Sequence, residues 1–132
     1  MAESRRVKAV RATYEAFNGG DIEAVLNFLD ESVELYPAAI ALEPHPLRGR
    51  NAVREYLLPN LFETQTAEPL EFTEEGDRVL VTARARARGR ESGIEVDQTV
   101  FHLLTLEGDR AVRFEVYVER AEALAALRAR TA

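Results

Sequence analysis

A chain of 132 residues has the length of one domain able to bury a proper core, and its 46% hydrophobic and 30% charged residues are the mixture of a globular protein rather than a disordered or fibrous one. Seventeen basic against twenty-three acidic residues leave a net charge of −6, which argues against nucleic acid or an anionic membrane as the main partner. There is no cysteine, so disulfides and thiolate-held metals are excluded.

The opening Met-Ala-Glu-Ser-Arg-Arg-Val-Lys lacks the apolar run of a secretory signal. No charge-free stretch approaches the roughly 20 residues that span a bilayer. The expectation is a cytoplasmic protein without membrane contact. Val7, Val10, Tyr14 and Phe17 recur at helical spacing and predict an amphipathic helix over about residues 4–17, stopped by Asn18-Gly19-Gly20. Asp21 is placed to cap a second helix with Ile22, Val25, Leu26 and Leu29 on one face. A short strand, Ser32–Tyr36, leads into a loop containing Pro37, Pro44 and Pro46. Asn51 then suits the cap of a third helix presenting Val53, Tyr56 and Leu57, which Pro59 ends.

From residue 69 the period changes to two. Leu70 and Phe72 alternate, Glu75-Gly76 reads as a turn, and Val79–Arg88 returns. Gly89–Gly93 reads as a five-residue turn, Ile94–Leu106 as a long strand, Gly108-Asp109 as a two-residue turn and Ala111–Val118 as the last strand. A short helix with Ala121, Leu124 and Leu127 follows. These turns put Leu70, Phe72, Val79, Val81, Ala83, Ala85, Thr99, Phe101, Leu103, Phe114, Val116 and Val118 on one face. Leu80, Arg84, Arg86, Val96, Val100, His102, Leu104, Glu115 and Tyr117 fall on the other. The first face is a core face, thin at the alanines. Alanine fills little volume and close-packed interiors tolerate few voids, so the alanines face bulky partners or a cavity. The second face is too apolar for open solvent and too charged for a core, the mixture of an interface between subunits.

Five segments in order along the chain carry a resemblance to a known family. They are Tyr14-Glu-Ala-Phe-Asn-Gly-Gly-Asp21, Val33-Glu-Leu-Tyr-Pro37, Leu47-Arg-Gly-Arg-Asn-Ala-Val53, Gly89-Arg-Glu-Ser-Gly93 and Tyr117-Val-Glu-Arg-Ala-Glu-Ala-Leu124. With them the chain resembles the nuclear transport factor 2-like superfamily, which includes ketosteroid isomerase and the SnoaL-like polyketide cyclases. The resemblance implies one α+β domain over residues 1–132. Its curved antiparallel sheet wraps around N-terminal helices into a cone with an apolar pocket for a small apolar ligand. It also implies a homodimer through the convex face, on which the hairpin register puts Arg84, Arg86, His102, Glu115 and Tyr117, with His102 opposite Glu115. The isomerase's base aspartate falls on Tyr36, its oxyanion-hole tyrosine on Thr13 (Tyr14 is one residue away) and its protonated aspartate on Phe101. Steroid isomerase activity is therefore not expected.

The resemblance puts Tyr36 in the pocket, and Glu34 on the same side of the strand would share it. Desolvation there would raise the carboxyl's pKa into the working range of an acid or base. The alternative is that Val33 and Leu35 face the core and Glu34 stays in water. Asp97 and Glu95 fall by parity on the alanine face, and because some cyclases of this fold use a strand aspartate, Asp97 is a second catalytic candidate beside Glu34. Thr13, Tyr14, Phe17, Tyr36, Tyr56, Val81, Ala83, Ala85, Thr99, Phe101, Phe114 and Val116 are the expected substrate-binding residues. His45 and His102 have no metal-like spacing, and there is no phosphate loop, nucleophile elbow or dinucleotide fingerprint, so neither metal nor cofactor is expected. Two functions remain open. One is a cofactor-independent cyclase, isomerase or hydrolase acting on an apolar, oxygen-bearing substrate; the other is a non-catalytic binding or dimerisation module.

Overall fold

The computed structural model describes residues 3–37, 46–57 and 62–129; the expectations for Pro44, His45 and Pro59 lie outside them. Ser4 caps α1 (Arg5–Asn18) by accepting the Val7 amide at 3.1 Å, and the Asp21 carboxylate accepts from Ala24 at the start of α2 (Ile22–Phe28). Leu29, expected on that helix, instead opens strand β1 (Leu29–Tyr36). A two-residue strand, β2 (Leu47–Arg48), pairs with β1. Helix α3 (Arg50–Leu57) begins at Arg50, so Asn51 sits inside its first turn and does not cap it. Then come β3 (Phe62–Glu75), β4 (Arg78–Gly89), β5 (Glu95–Glu107), β6 (Arg110–Tyr117) and α4 (Arg120–Arg128).

The six strands form one open sheet in the order β2-β1-β6-β5-β4-β3, antiparallel except for the parallel β1–β6 pair. Helices α1 and α2 cover its inner face. Val7, Val10, Tyr14 and Leu26 join Val33, Leu35, Val79, Val81, Ala83, Val100, Leu104 and Leu106 in the main core. Asn18, at the end of α1, stands in for a neighbouring strand. Its amide donates to the Ala67 carbonyl at 2.8 Å and its oxygen accepts the Ala67 amide at 2.8 Å. On the outer face, Ala123 and Leu127 of α4 cover Leu80, Phe101 and Leu103 in a second, smaller core.

Three details reset the register. The first hairpin turns at Gly76-Asp77, one residue later than expected, with Gly76 at φ +60°. That shift is even across the pair and keeps Phe72, Val79 and Val81 inward, but a bulge between Pro69 and Glu71 turns Leu70 out, 54% exposed. The second loop has four residues, not five: the Gly89 amide donates to the Ile94 carbonyl at 2.9 Å, and Gly93 closes the loop at φ +67°. Arg88 therefore faces Glu95 and Ala83 faces Val100, a one-residue slip that reverses every side chain of β5. A bulge at Val112 adds a second slip, so Phe114 and Val116 still face inward as expected.

Candidate functional site

The reversed strand brings Val96, Gln98, Val100, His102 and Leu104 to the inner face, beside Ala85 and Ala87 of β4 and Phe114, Val116 and Val118 across β6. Val10, Thr13, Tyr14 and Phe17 of α1, Val25 and Phe28 of α2, and Val53 and Tyr56 of α3 close over them. A cavity of about 300 Å³ remains. It opens toward Val96, Val118 and Tyr56, which are 39%, 51% and 41% exposed, whereas Val100 further along β5 is buried. The alanines leave this space as their size requires: a leucine at Ala85 or Ala87 would fill it.

Within this largely apolar wall stands one hydrogen-bonded pair, the Tyr14 hydroxyl and His102 Nδ1. The rings stack with centroids 5.8 Å apart and 20° between planes, and Phe114 packs against the imidazole at 5.0 Å. Burial pushes the His102 pKa from its ordinary 6.5 down to about 4, and the same cause pushes the Tyr14 phenol above its usual range. Both groups are neutral at pH 7. A neutral imidazole has one N–H and one bare nitrogen. If tyrosine donates to Nδ1, the proton sits on Nε2; in the reverse arrangement the phenol hydrogen is released. Either way the pair keeps one donor for an oxygen in the cavity.

Several expected site residues lie elsewhere. Thr13, Tyr14, Phe17, Tyr56, Ala85, Phe114 and Val116 do line the cavity. Val81 and Ala83 are fully buried in the main core and do not line the cavity. The β5 slip moves Thr99 and Phe101 to the outer face, where Phe101 packs under α4. Asp97 goes with them. Its carboxylate takes a two-point contact from Arg84, Nε and Nη2 both at 2.8 Å, and that guanidinium holds it below the usual carboxylate range. Glu95 is exposed beside it.

Glu34 and Tyr36 are also outside. Val33 and Leu35 take the core side of β1, while Glu34 pairs with Arg48 at 3.2 Å and accepts the Tyr36 hydroxyl at 3.3 Å on the outer face. The Arg113 guanidinium lies 4.3 Å over the Tyr36 ring and 3.2 Å from Glu115, which also accepts the Tyr117 hydroxyl at 2.6 Å. Of the residues expected on the convex face, Arg84, Arg86, Glu115 and Tyr117 are there, and His102 is not. Asp97→Asn should therefore leave the affinity of any cavity ligand within about twofold, read by calorimetric titration, as for other exposed positions remote from a site. A larger loss would mean that the aspartate acts in the site.

His102 was missed as a cavity residue because its face depends on a single loop residue. Among the described residues no group of three or more histidines and carboxylates could hold a metal, and no helix is long and apolar enough to cross a membrane.

A profile of the SnoaL-like domain family matches residues 10–114. No curated protein matches the chain. Among solved structures, an NTF2-like protein of unknown function from Burkholderia pseudomallei is 26% identical, covering 96% of this chain and 100% of its own, with a TM-score of 0.77. TerC, co-crystallised with polyporic acid, is 22% identical over 96% of this chain and 100% of its own, with a TM-score of 0.75. IdmH, a candidate polyketide cyclase from Streptomyces antibioticus, is 20% identical over 94% and 99%, with a TM-score of 0.74. At these last two identities the likeness is one of fold.

Proposed function

Because this chain belongs to the SnoaL-like domain family, we propose that it carries out cyclase- or isomerase-type chemistry, without a cofactor, on a small apolar molecule bearing carbonyl oxygens. The reaction takes place in the cavity between sheet and helices, with Tyr14 and His102 as the acid–base pair. The observation that carries this reading is the neutral Tyr14–His102 hydrogen bond inside a largely apolar wall.

The chemistry of the pair narrows the substrate. Among the described residues no carboxylate lines the cavity, and of its lining residues only Arg86 is charged, its guanidinium 3.7 Å from Asp97 on the outer face. An imidazole whose pKa is near 4 is a weak base but a ready donor, and the donor left over by the pair is aimed at an oxygen. Such a site works best on a carbon acid that gives up its proton easily, one flanked by two carbonyls. As the C–H proton leaves to the bare nitrogen or to water, negative charge collects on the carbonyl oxygen. A fixed donor in a water-poor cavity stabilises that charge more in the transition state than in the ground state. The enolate carbon can then attack a further carbonyl of the same molecule, closing a ring as the new alkoxide takes up the proton, or the enolate of an unsaturated substrate is reprotonated at another position, shifting a double bond.

A second reading, a binding protein with the same cavity and no turnover, is favoured by the position of Glu34 and Asp97, the two carboxylates suited to proton transfer, outside it. Incubating the protein with aryl-substituted 1,3-diketones that carry a third carbonyl on a three-carbon tether, so that the enolate carbon can close a ring on it, and following the isomeric product by liquid chromatography and ultraviolet absorbance separates the two. Product formation above the protein-free rate supports catalysis. Saturable binding of the diketones without turnover would leave the binding reading.

A further inference from the structure

Beyond the pair that holds the reacting oxygen, the mouth of the cavity carries a second polar station. Gln98 lies four residues before His102 on the same face of β5, about 13 Å away at about 3.3 Å per residue. Gln65, on β3, also lines the cavity. The register places the two glutamines on either side of β4: Ala85 faces Gln98, and Ala87 faces Gln65. Between the amides there is therefore a floor of two alanines, with no side chain rising from it. Each amide carries two N–H donors and a carbonyl acceptor, and among the described residues no hydrogen bond engages either. Both side chains are exposed at the opening, so they meet a ligand without first giving up a protein partner.

From this arrangement we infer that the cavity selects a flat, elongated molecule with a hydrogen-bonding group at each end and an apolar waist. The inner oxygen lies at Tyr14–His102, the waist passes over Val100, and the outer polar group lies over Ala85 and Ala87, where Gln65 and Gln98 read it. The two glutamines are specificity-determining residues that touch the far end of the ligand and take no part in proton transfer. The inference rests on the reading of Tyr14–His102 as the inner oxygen site.

The test is a pair of probes that differ only at the outer end, 4-hydroxybiphenyl and 4,4′-dihydroxybiphenyl, titrated calorimetrically into the wild-type protein. The two-ended phenol should bind about tenfold more tightly, the gain of one or two net hydrogen bonds. Gln65→Leu and Gln98→Leu should each reduce that ratio, and the double variant should bring it to about one. Equal affinity of the two phenols in the wild-type protein would overturn the outer station, as would a tenfold ratio that survives in the double variant. The first of these needs no variant to fold. His102→Leu separates the two levels: it should weaken both phenols. If it weakens both while their ratio in the wild type is one, the inner site stands and the outer one falls. If it leaves both unchanged, the inner site falls and this inference with it.

Discussion

Lowering the pH from 7 to 4 is expected to remove about 3 kcal/mol of folding stability through His102 alone. In the unfolded chain its imidazole titrates near the ordinary 6.5; buried against Tyr14 and Phe114, it titrates at about 4. Between those values the unfolded chain binds more protons than the folded one, so stability rises with pH across the window. The contribution is complete above pH 6.5 and is lost as pH falls toward 4. The spacing of the two values corresponds to about 3 kcal/mol. Carboxylates held low by arginines, such as Asp97 beside Arg84, also weaken the fold in acid. The difference between the wild-type protein and His102→Leu isolates the histidine. Urea unfolding at half-unit steps from pH 4 to 7 should show a wild-type curve steeper than that of the variant by this amount. Parallel curves would contradict a neutral, buried imidazole.

The second large effect is on turnover. Tyr14→Phe and His102→Leu should each lower kcat/KM for a 1,3-diketone substrate by about 10²–10³-fold, the usual loss on removing one donor to a developing oxyanion. The two groups act as one unit, so the double variant should be little worse than either single variant. Tyr14→Phe also leaves the imidazole nitrogen buried without its partner, at about 1–3 kcal/mol of stability, so rates are compared at a temperature where circular dichroism shows each variant folded. Losses that multiply in the double variant would mean that tyrosine and histidine serve separate steps.

Much of the architecture was legible because local chemistry decided it. Ser4 and Asp21 are side-chain caps, Gly19-Gly20 stops the first helix, and Gly108-Asp109 makes the two-residue turn expected of it. The face of β5 was not legible. Val100 and Leu104 pack inward while Phe101 and Leu103 pack outward under α4, so the strand shows no alternation of apolar and polar residues to fix its parity. The face then depended on whether the loop after Gly89 holds four residues or five. One signal could have helped: the apolar side of α4, with Ala123 and Leu127, needs a partner, and Phe101 and Leu103 supply it. That assignment would have turned His102 inward. In β1 the sequence itself alternates Val33 and Leu35 against Glu34 and Tyr36, and the plain reading, with the apolar pair on the core side, is the one the fold adopts. With Glu34 and Asp97 on the outer face, the proposed acid–base role falls to the neutral Tyr14–His102 pair.

The central claim is that an oxygen of a bound small molecule meets Tyr14 and His102 inside the cavity. 4,4′-Dihydroxybiphenyl, flat and with a phenol oxygen at each end, is a suitable first probe. The most direct measurement is a crystal structure of this protein grown with it. One oxygen should lie within hydrogen-bond distance of the Tyr14 hydroxyl or His102 Nε2, and the other over Ala85 and Ala87. Binding on the outer face beside Arg84 and Asp97, with the Tyr14–His102 pair untouched, would contradict the account.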